Sequence, residues 1–178
     1  WLIILGLSMF NYLLRFVRWD FYLRRLGYAV PLAANIAIYL GGFGFTATPG
    51  KVGEAVRAVY LKRFGVTYVH GLAVFFVERL VDMLAIVVVA SLAAYTFAST
   101  RWLVGITLLV TFACIPLIHS PAVLGWLEQR RQAVRSGRLQ SIGEQLLHLV
   151  RASAALLRSG PLYAGFLLGL LAWFAEGY

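Results

Sequence analysis

Six ionisable side chains stand where an otherwise apolar sequence has little use for them: Lys51, Glu54 and Arg57 in one stretch, Glu78, Arg79 and Asp82 in another. Charge at membrane depth is costly, so such groups normally face a partner or a water-filled path. Glu78 and Asp82 are four residues apart, which puts both carboxylates on one face of a helix, with Arg79 turned about 100° away. Lys51 and Arg57 are the expected counter-charges. Two roles fit this set: an ion-pair network that fixes helices together, or a path for a charged lipid headgroup stabilised by the same groups. Paired carboxylates can also perform hydrolysis, but no nucleophile, metal ligand or histidine lies near them in sequence, so no catalytic residue and no metal site is assigned. His70, His119 and His148 stand singly at segment ends, where an interfacial role is expected. Cys114 is the one cysteine, which excludes a disulfide framework and a cysteine metal cluster. No phosphate-binding loop for ATP is present and no cofactor is expected.

The first charged stretch follows a run of helix breakers. From Tyr39 to Glu54, three glycines precede Thr48 and Pro49, and Gly50 and Gly53 flank Lys51. Proline cannot continue intrahelical hydrogen bonding and glycine permits the backbone angles of a reversal. A half-helix beginning near Val52 would point free N–H groups at the turn. With Lys51 beside it and the Thr46 and Thr48 hydroxyls within reach, that terminus suits a phosphate or carboxylate. Gly41, Gly42 and Gly44 also suit close helix packing, as small residues do in membranes. Irregular backbone at membrane depth is tolerated only where it lines a cavity or is buried in protein.

The rest of the chain must position these groups, and its composition says in what medium. Hydrophobic residues make up 61% of the 178 and charged residues 13%, with a mean hydropathy of +0.82. That leaves too little polar surface to cover a soluble domain. The net charge of +9 sits mostly in arginines flanking apolar segments, without a recognition-helix or zinc-ligand pattern. Nucleic acid is therefore not an expected partner, and anionic membrane phospholipids are.

In chain order, residues 1 to about 17 read as the end of a spanning helix. Arg15, Arg18, Arg24 and Arg25 are expected there as lipid-headgroup anchors beside Trp19, with Asp20 to Tyr28 along the interface. Pro31 suits a helix start. Residues 31–48 would reach about 27 Å as a helix, close to a hydrocarbon core of about 30 Å, whereas 52–63 would return only about 18 Å. Residues 69–97, 102–118 (interrupted by Pro116) and 162–178 read as further spans. Between them, 120–160 is arginine-rich, and Leu139, Ile142, Leu146, Leu147 and Val150 recur at helical spacing, an amphipathic helix on the membrane surface or packed there. Trp1 and Tyr178, the latter within an apolar run, read as the ends of a piece of a longer protein.

Arginine placement decides the topology expected of residues 31–63. If they form a hairpin with both ends on one side, the basic stretches 15–25, 62–63 and 130–158, with four, two and six basic residues, share one face and only Arg101 lies opposite. A complete crossing would separate them. The positive-inside rule favours the hairpin, with the basic side cytoplasmic. The expected fold is all-α: one polytopic integral membrane helical bundle over residues 1–178, with a re-entrant broken-helix hairpin over about 31–63 and a cytoplasmic-side amphipathic helix.

At these residues the sequence resembles a known family. Gly-Phe-Thr-Ala-Thr-Pro-Gly-Lys-Val-Gly-Glu-Ala-Val-Arg (44–57), Leu61-Lys-Arg-Phe-Gly65 and Val77-Glu-Arg-Leu-Val-Asp82 are similar to the signature of the flippase-like, lysylphosphatidylglycerol synthase transmembrane-region family. Arg18-Trp19 fits as well. The likeness is specific over about 15–90 and general in hydrophobic pattern beyond. It implies Pro49, Gly50, Lys51, Gly53, Glu54, Arg57, Glu78, Arg79 and Asp82 as motif positions, and a second broken segment beyond residue 178, as in inverted-repeat transporters. It implies movement of a phospholipid, aminoacylated phosphatidylglycerol among the candidates, between leaflets of a bacterial-type cytoplasmic membrane. The alternative is a membrane module that binds a lipid or polyprenyl phosphate and presents it to a fused or partner synthase or glycosyltransferase. A homo-oligomer is compatible with either.

Overall fold

The computed structural model describes residues 1–44, 54–96, 101–133 and 137–176. Among them the chain is helical, without strands: α1 (Leu2–Arg25), α2 (Leu32–Phe43), α3 (Arg57–Leu61) running into a 3-10 turn (Lys62–Phe64), α4 (Tyr68–Thr96), α5 (Arg101–His119), α6 (Pro121–Ala133), α7 (Gly137–Leu156) and α8 (Ser159–Glu176). This is a helical membrane bundle. α1 and α5 are each long and apolar enough to cross a bilayer, and the bent pair α7 and α8, set at 76° to each other, passes the same test as one broken unit.

α1 does not stop near residue 17 but runs 24 residues to Arg25, about 36 Å. Its end is built by Gly27, whose φ of 88° lets the Gly27 N–H reach the Arg24 carbonyl and the Tyr28 N–H reach the Leu23 carbonyl, both at 3.0 Å. That pair of bonds is a Schellman stop, which an L side chain at the left-handed position would strain. Trp19, Asp20 and Tyr22 are thus helical, and the expected interfacial stretch is the last turns of the same rod.

α2 holds only 12 residues, about 18 Å, against about 30 Å for a hydrocarbon core. It covers the first part of the 31–48 expected from apolarity, Gly44 following Phe43 as its cap. Residues 45–53, the expected turn of the hairpin, lie outside the described residues. Its two arms lie together: α3 packs against α2, and a Cβ built on Gly42 would overlap the Arg57 side chain.

α4 is the axis of the bundle, touching α1, α3, α5, α7 and α8. Among its buried residues, Val74, Val77, Glu78, Val81, Asp82 and Ala85 follow the i, i+3, i+4 rhythm of one helix face, and Ala73, Leu80, Leu84 and Val87 are buried beside it. Val74, Val77 and Val81 meet Trp19, Tyr22, Leu23, Tyr39, Leu61, Leu156 and Leu157 in one core. Glycine sets the approach of the neighbours. A Cβ at Gly71 would stand 2.6 Å from that of Ala58, and one at Gly165 would overlap the Tyr22 hydroxyl. The outer surface is apolar: Leu103, Ile106, Leu109 and Phe112 of α5 are exposed. The Thr107 and Thr111 hydroxyls bond the carbonyls one turn back, at 2.9 and 2.6 Å, so α5 shows a lipid phase few unmet polar groups.

Candidate functional site

The helix contacts described above bring charge from α1, α3, α4 and the residues just before α3 to one buried place. Asn11, Arg15, Arg18 and Tyr22 share one face of α1, and all four are buried. Asp82 of α4 receives three guanidinium groups there: Arg18 Nη2 donates to Oδ1 at 2.7 Å, Arg79 Nη2 lies 3.2 Å from Oδ2 and Arg15 Nη1 3.4 Å from it. Arg15 Nε also donates to Asn11 at 2.7 Å. One turn away, Arg57 Nη2 donates to Glu54 at 2.6 Å. Glu78 sits between the two groups, 3.8 Å from Arg18 Nε and 3.8 Å from Arg57 Nη1. Arg79 spans Asp82 and Glu54.

Arg18, Arg57 and Glu78 are each 1% exposed. Isolated charges this deep would cost several kcal/mol each, so the geometry of the pairs decides whether the cluster is tolerable. Aromatic faces supply part of the compensation. The Arg57 guanidinium carbon lies 4.3 Å from the Tyr39 ring centre, 5.1 Å from Phe43 and 5.4 Å from Trp19, and that of Arg15 lies 5.2 Å from Trp173. The rings are themselves held. Trp19 Nε1 donates to Asn35 at 3.0 Å, and Asn35 donates to Asp20 at 2.7 Å, joining α1 to α2. Gly169 leaves room for Arg18, whose Nη1 would stand 2.7 Å from a Cβ there.

Two properties set what this cluster can do. Among the described residues it holds four guanidinium groups against three carboxylates, an excess of one positive charge. It also leaves donors over: Arg18 Nε and Nη1, Arg57 Nε and Arg79 Nε are buried without a hydrogen-bond partner among the described residues, as is the acceptor Glu78 Oε2. Guanidinium forks match phosphate and carboxylate oxygens. The site is therefore suited to an anion. Among the described residues no group of three potential metal ligands comes together.

Of the residues singled out in the sequence, Glu54, Arg57, Glu78, Arg79 and Asp82 form this cluster. Thr46, Thr48, Pro49, Gly50, Lys51 and Gly53 lie outside the described residues. Arg15 and Arg18 correct the sequence reading: they are not headgroup anchors at a helix end but buried partners of Asp82, because the helix continues past them and turns their face toward α4 and α8. Arg24 and Arg25 are exposed. Asn35, Tyr39 and Gly169 were not foreseen as parts of the site. The signal available for α1 was the spacing of Asn11, Arg15 and Arg18, three polar residues on one stripe of an apolar helix.

The family model described as Lysylphosphatidylglycerol synthase TM region matches residues 1–178. No curated protein sequence matches the chain, and no solved structure does.

Proposed function

Because the chain belongs to the lysylphosphatidylglycerol synthase transmembrane-region family, we propose that it moves a phospholipid, of which aminoacylated phosphatidylglycerol is one candidate, between the leaflets of a bacterial-type cytoplasmic membrane. The observation that carries this reading is the set of buried guanidinium N–H groups of Arg18, Arg57 and Arg79 that have no hydrogen-bond partner among the described residues, in a cluster whose described side chains carry net positive charge. Such donors suit a phosphate that would otherwise have to leave water for hydrocarbon unaccompanied. Arg18 lies seven residues from Arg25 along α1, so the cluster stands about 10 Å inside the basic end of the helix. A headgroup arriving there has covered part of the crossing while its acyl chains remain in lipid.

The test is leaflet-resolved lipid analysis in cells making the full-length protein. Arg57→Lys keeps the charge and gives up the fork; Glu78→Gln keeps the shape and removes a counter-charge. Both should lower outer-leaflet delivery per folded molecule by roughly tenfold or more, about 1.4 kcal/mol, and Glu78→Gln, which withdraws a buried counter-charge, should also lower the amount of folded protein. Unchanged delivery in both variants would sink the proposal. The family description names a synthase, which favours a second reading: a module that holds a lipid for a fused or partner enzyme. In that case the variants would lower synthesis of the modified lipid and leave its distribution between leaflets as before.

A further inference from the structure

α1 and α2 do not close against each other along their whole length. Between them lies a groove of about 530 Å³ lined by Met9, Leu13, Phe16, Ile36, Tyr39 and Leu40 among others, almost wholly apolar. That volume is in the range of clefts that bury most of a small ligand, about 300–1,000 Å³. Resting on the reading above, we infer that this groove holds one acyl chain of the anionic phospholipid whose phosphate the arginine cluster binds.

Three observations select that occupant. First, groove and cluster share a wall one aromatic layer thick. Tyr39 lines the groove and carries Arg57 4.3 Å above its ring. Phe16 meets Tyr39 edge-on at 5.4 Å, and Tyr12, also on the groove, meets Phe43 at 4.9 Å; Phe43 is the second ring beneath Arg57. Second, the groove runs in the direction an acyl chain must take. Phe16 lies beside Arg15 in sequence, at the cluster's level. Met9 is seven residues farther from the basic end of α1, about 10 Å deeper. A lipid with its phosphate at Arg18 or Arg57 therefore has the groove leading away from the polar side. Third, the charge is complementary: the excess positive charge of the cluster's described residues selects an anionic headgroup, while the groove, almost wholly apolar, offers little to a water-soluble anion.

The lining residues Met9, Leu13 and Leu40 are more than half exposed, so a chain can enter sideways from the bilayer without unfolding the hairpin. The division of labour is then explicit. The cluster distinguishes headgroups, and the groove distinguishes chain lengths.

The experiment is native mass spectrometry of the full-length protein released from detergent micelles. It is titrated with phosphatidylglycerol and phosphatidylcholine, each with two 8-carbon or two 16-carbon chains. Ile36→Trp and Leu13→Trp fill the groove, and Leu13→Ala, which leaves the backbone and most packing alone, widens it. Wild type should prefer phosphatidylglycerol to phosphatidylcholine and the longer chain to the shorter. Each groove variant should lose roughly tenfold of the long-chain preference, the equivalent of about two methylenes withdrawn from apolar contact, and keep the headgroup preference. Chain-length preference in all three variants equal to wild type, with headgroup preference intact, overturns the groove assignment and leaves the function standing. Absence of any headgroup preference in wild type overturns the function itself. A groove covered by a second copy of the chain would give no chain-length preference in wild type, which also overturns the inference.

Discussion

Replacing Asp82 by asparagine is the sharpest probe of the bundle, because one carboxylate answers three guanidinium groups. Arg18 stands at 2.7 Å, Arg79 at 3.2 Å and Arg15 at 3.4 Å, and the Arg18 and Asp82 side chains are 1% and 6% exposed. Asparagine keeps the volume and one acceptor oxygen, so packing is nearly unchanged and the loss is electrostatic. Removing one partner of a buried pair costs about 3–5 kcal/mol, since the other charge stays buried without compensation. Glu78, at 3.8 Å from Arg18, is the remaining carboxylate near it among the described residues and will recover part of that loss. The expected destabilisation is therefore toward the lower end, about 3 kcal/mol, or roughly a hundredfold in the folding equilibrium. Unfolding by sodium dodecyl sulfate in mixed micelles, followed by near-ultraviolet circular dichroism, measures it. The control is Glu128→Gln. Its partner Arg151 stands at 3.5 Å, but the two side chains are 31% and 58% exposed, so the change should stay within about 1 kcal/mol. A destabilisation below 1 kcal/mol for Asp82→Asn, equal to that of the control, would refute the claim that α1 and α4 are joined by buried charge.

Two further outcomes follow from the packing. Gly169→Leu places a branched side chain where Arg18 Nη1 would stand 2.7 Å from the first added carbon; overpacking of this kind costs about 1–3 kcal/mol, read in the same unfolding assay, and Gly105→Leu, with open space around it, should cost well below that. Asn35→Leu leaves the Trp19 N–H and an Asp20 oxygen without their 3.0 and 2.7 Å bonds, and should cost about 1–3 kcal/mol with a shift in the tryptophan emission as Trp19 loses its hydrogen bond.

How much of this was legible beforehand differs by residue, for physical reasons. Hydropathy and length are properties of a segment, so a helical membrane bundle follows from composition alone. The pairing of Glu78 with Asp82 on one face follows from helix period, and Arg57 as a counter-charge from its place in a broken helix. The α1 arginines were misread because an arginine near an aromatic residue at the end of an apolar run has the same local pattern whether it faces lipid headgroups or a buried carboxylate. What separates the two is the position of the helix stop, and Gly27 sets it two residues past the last arginine. Gly165 and Gly169 carry no local signal, since their function lies in what α1 places opposite them. Arg57 could be assigned a partner from charge, but not its aromatic bed, because Tyr39, Phe43 and Trp19 come from two other helices.

The bond between Arg18 and Asp82 joins residues 64 apart in the chain, and this constrains how the protein is made. α1 leaves the ribosome long before α4. Until α4 arrives, Arg18 lacks the Asp82 carboxylate, and an arginine inside an inserted helix costs up to about 2.5–3.5 kcal/mol at the translocon, less as it nears the helix end. Asp82 faces a similar cost if α4 enters alone. The two helices therefore have reason to wait for each other at the insertion site and enter the bilayer as a neutralised pair, so biogenesis, not folding within the membrane, is the stage at which loss of either residue is first felt.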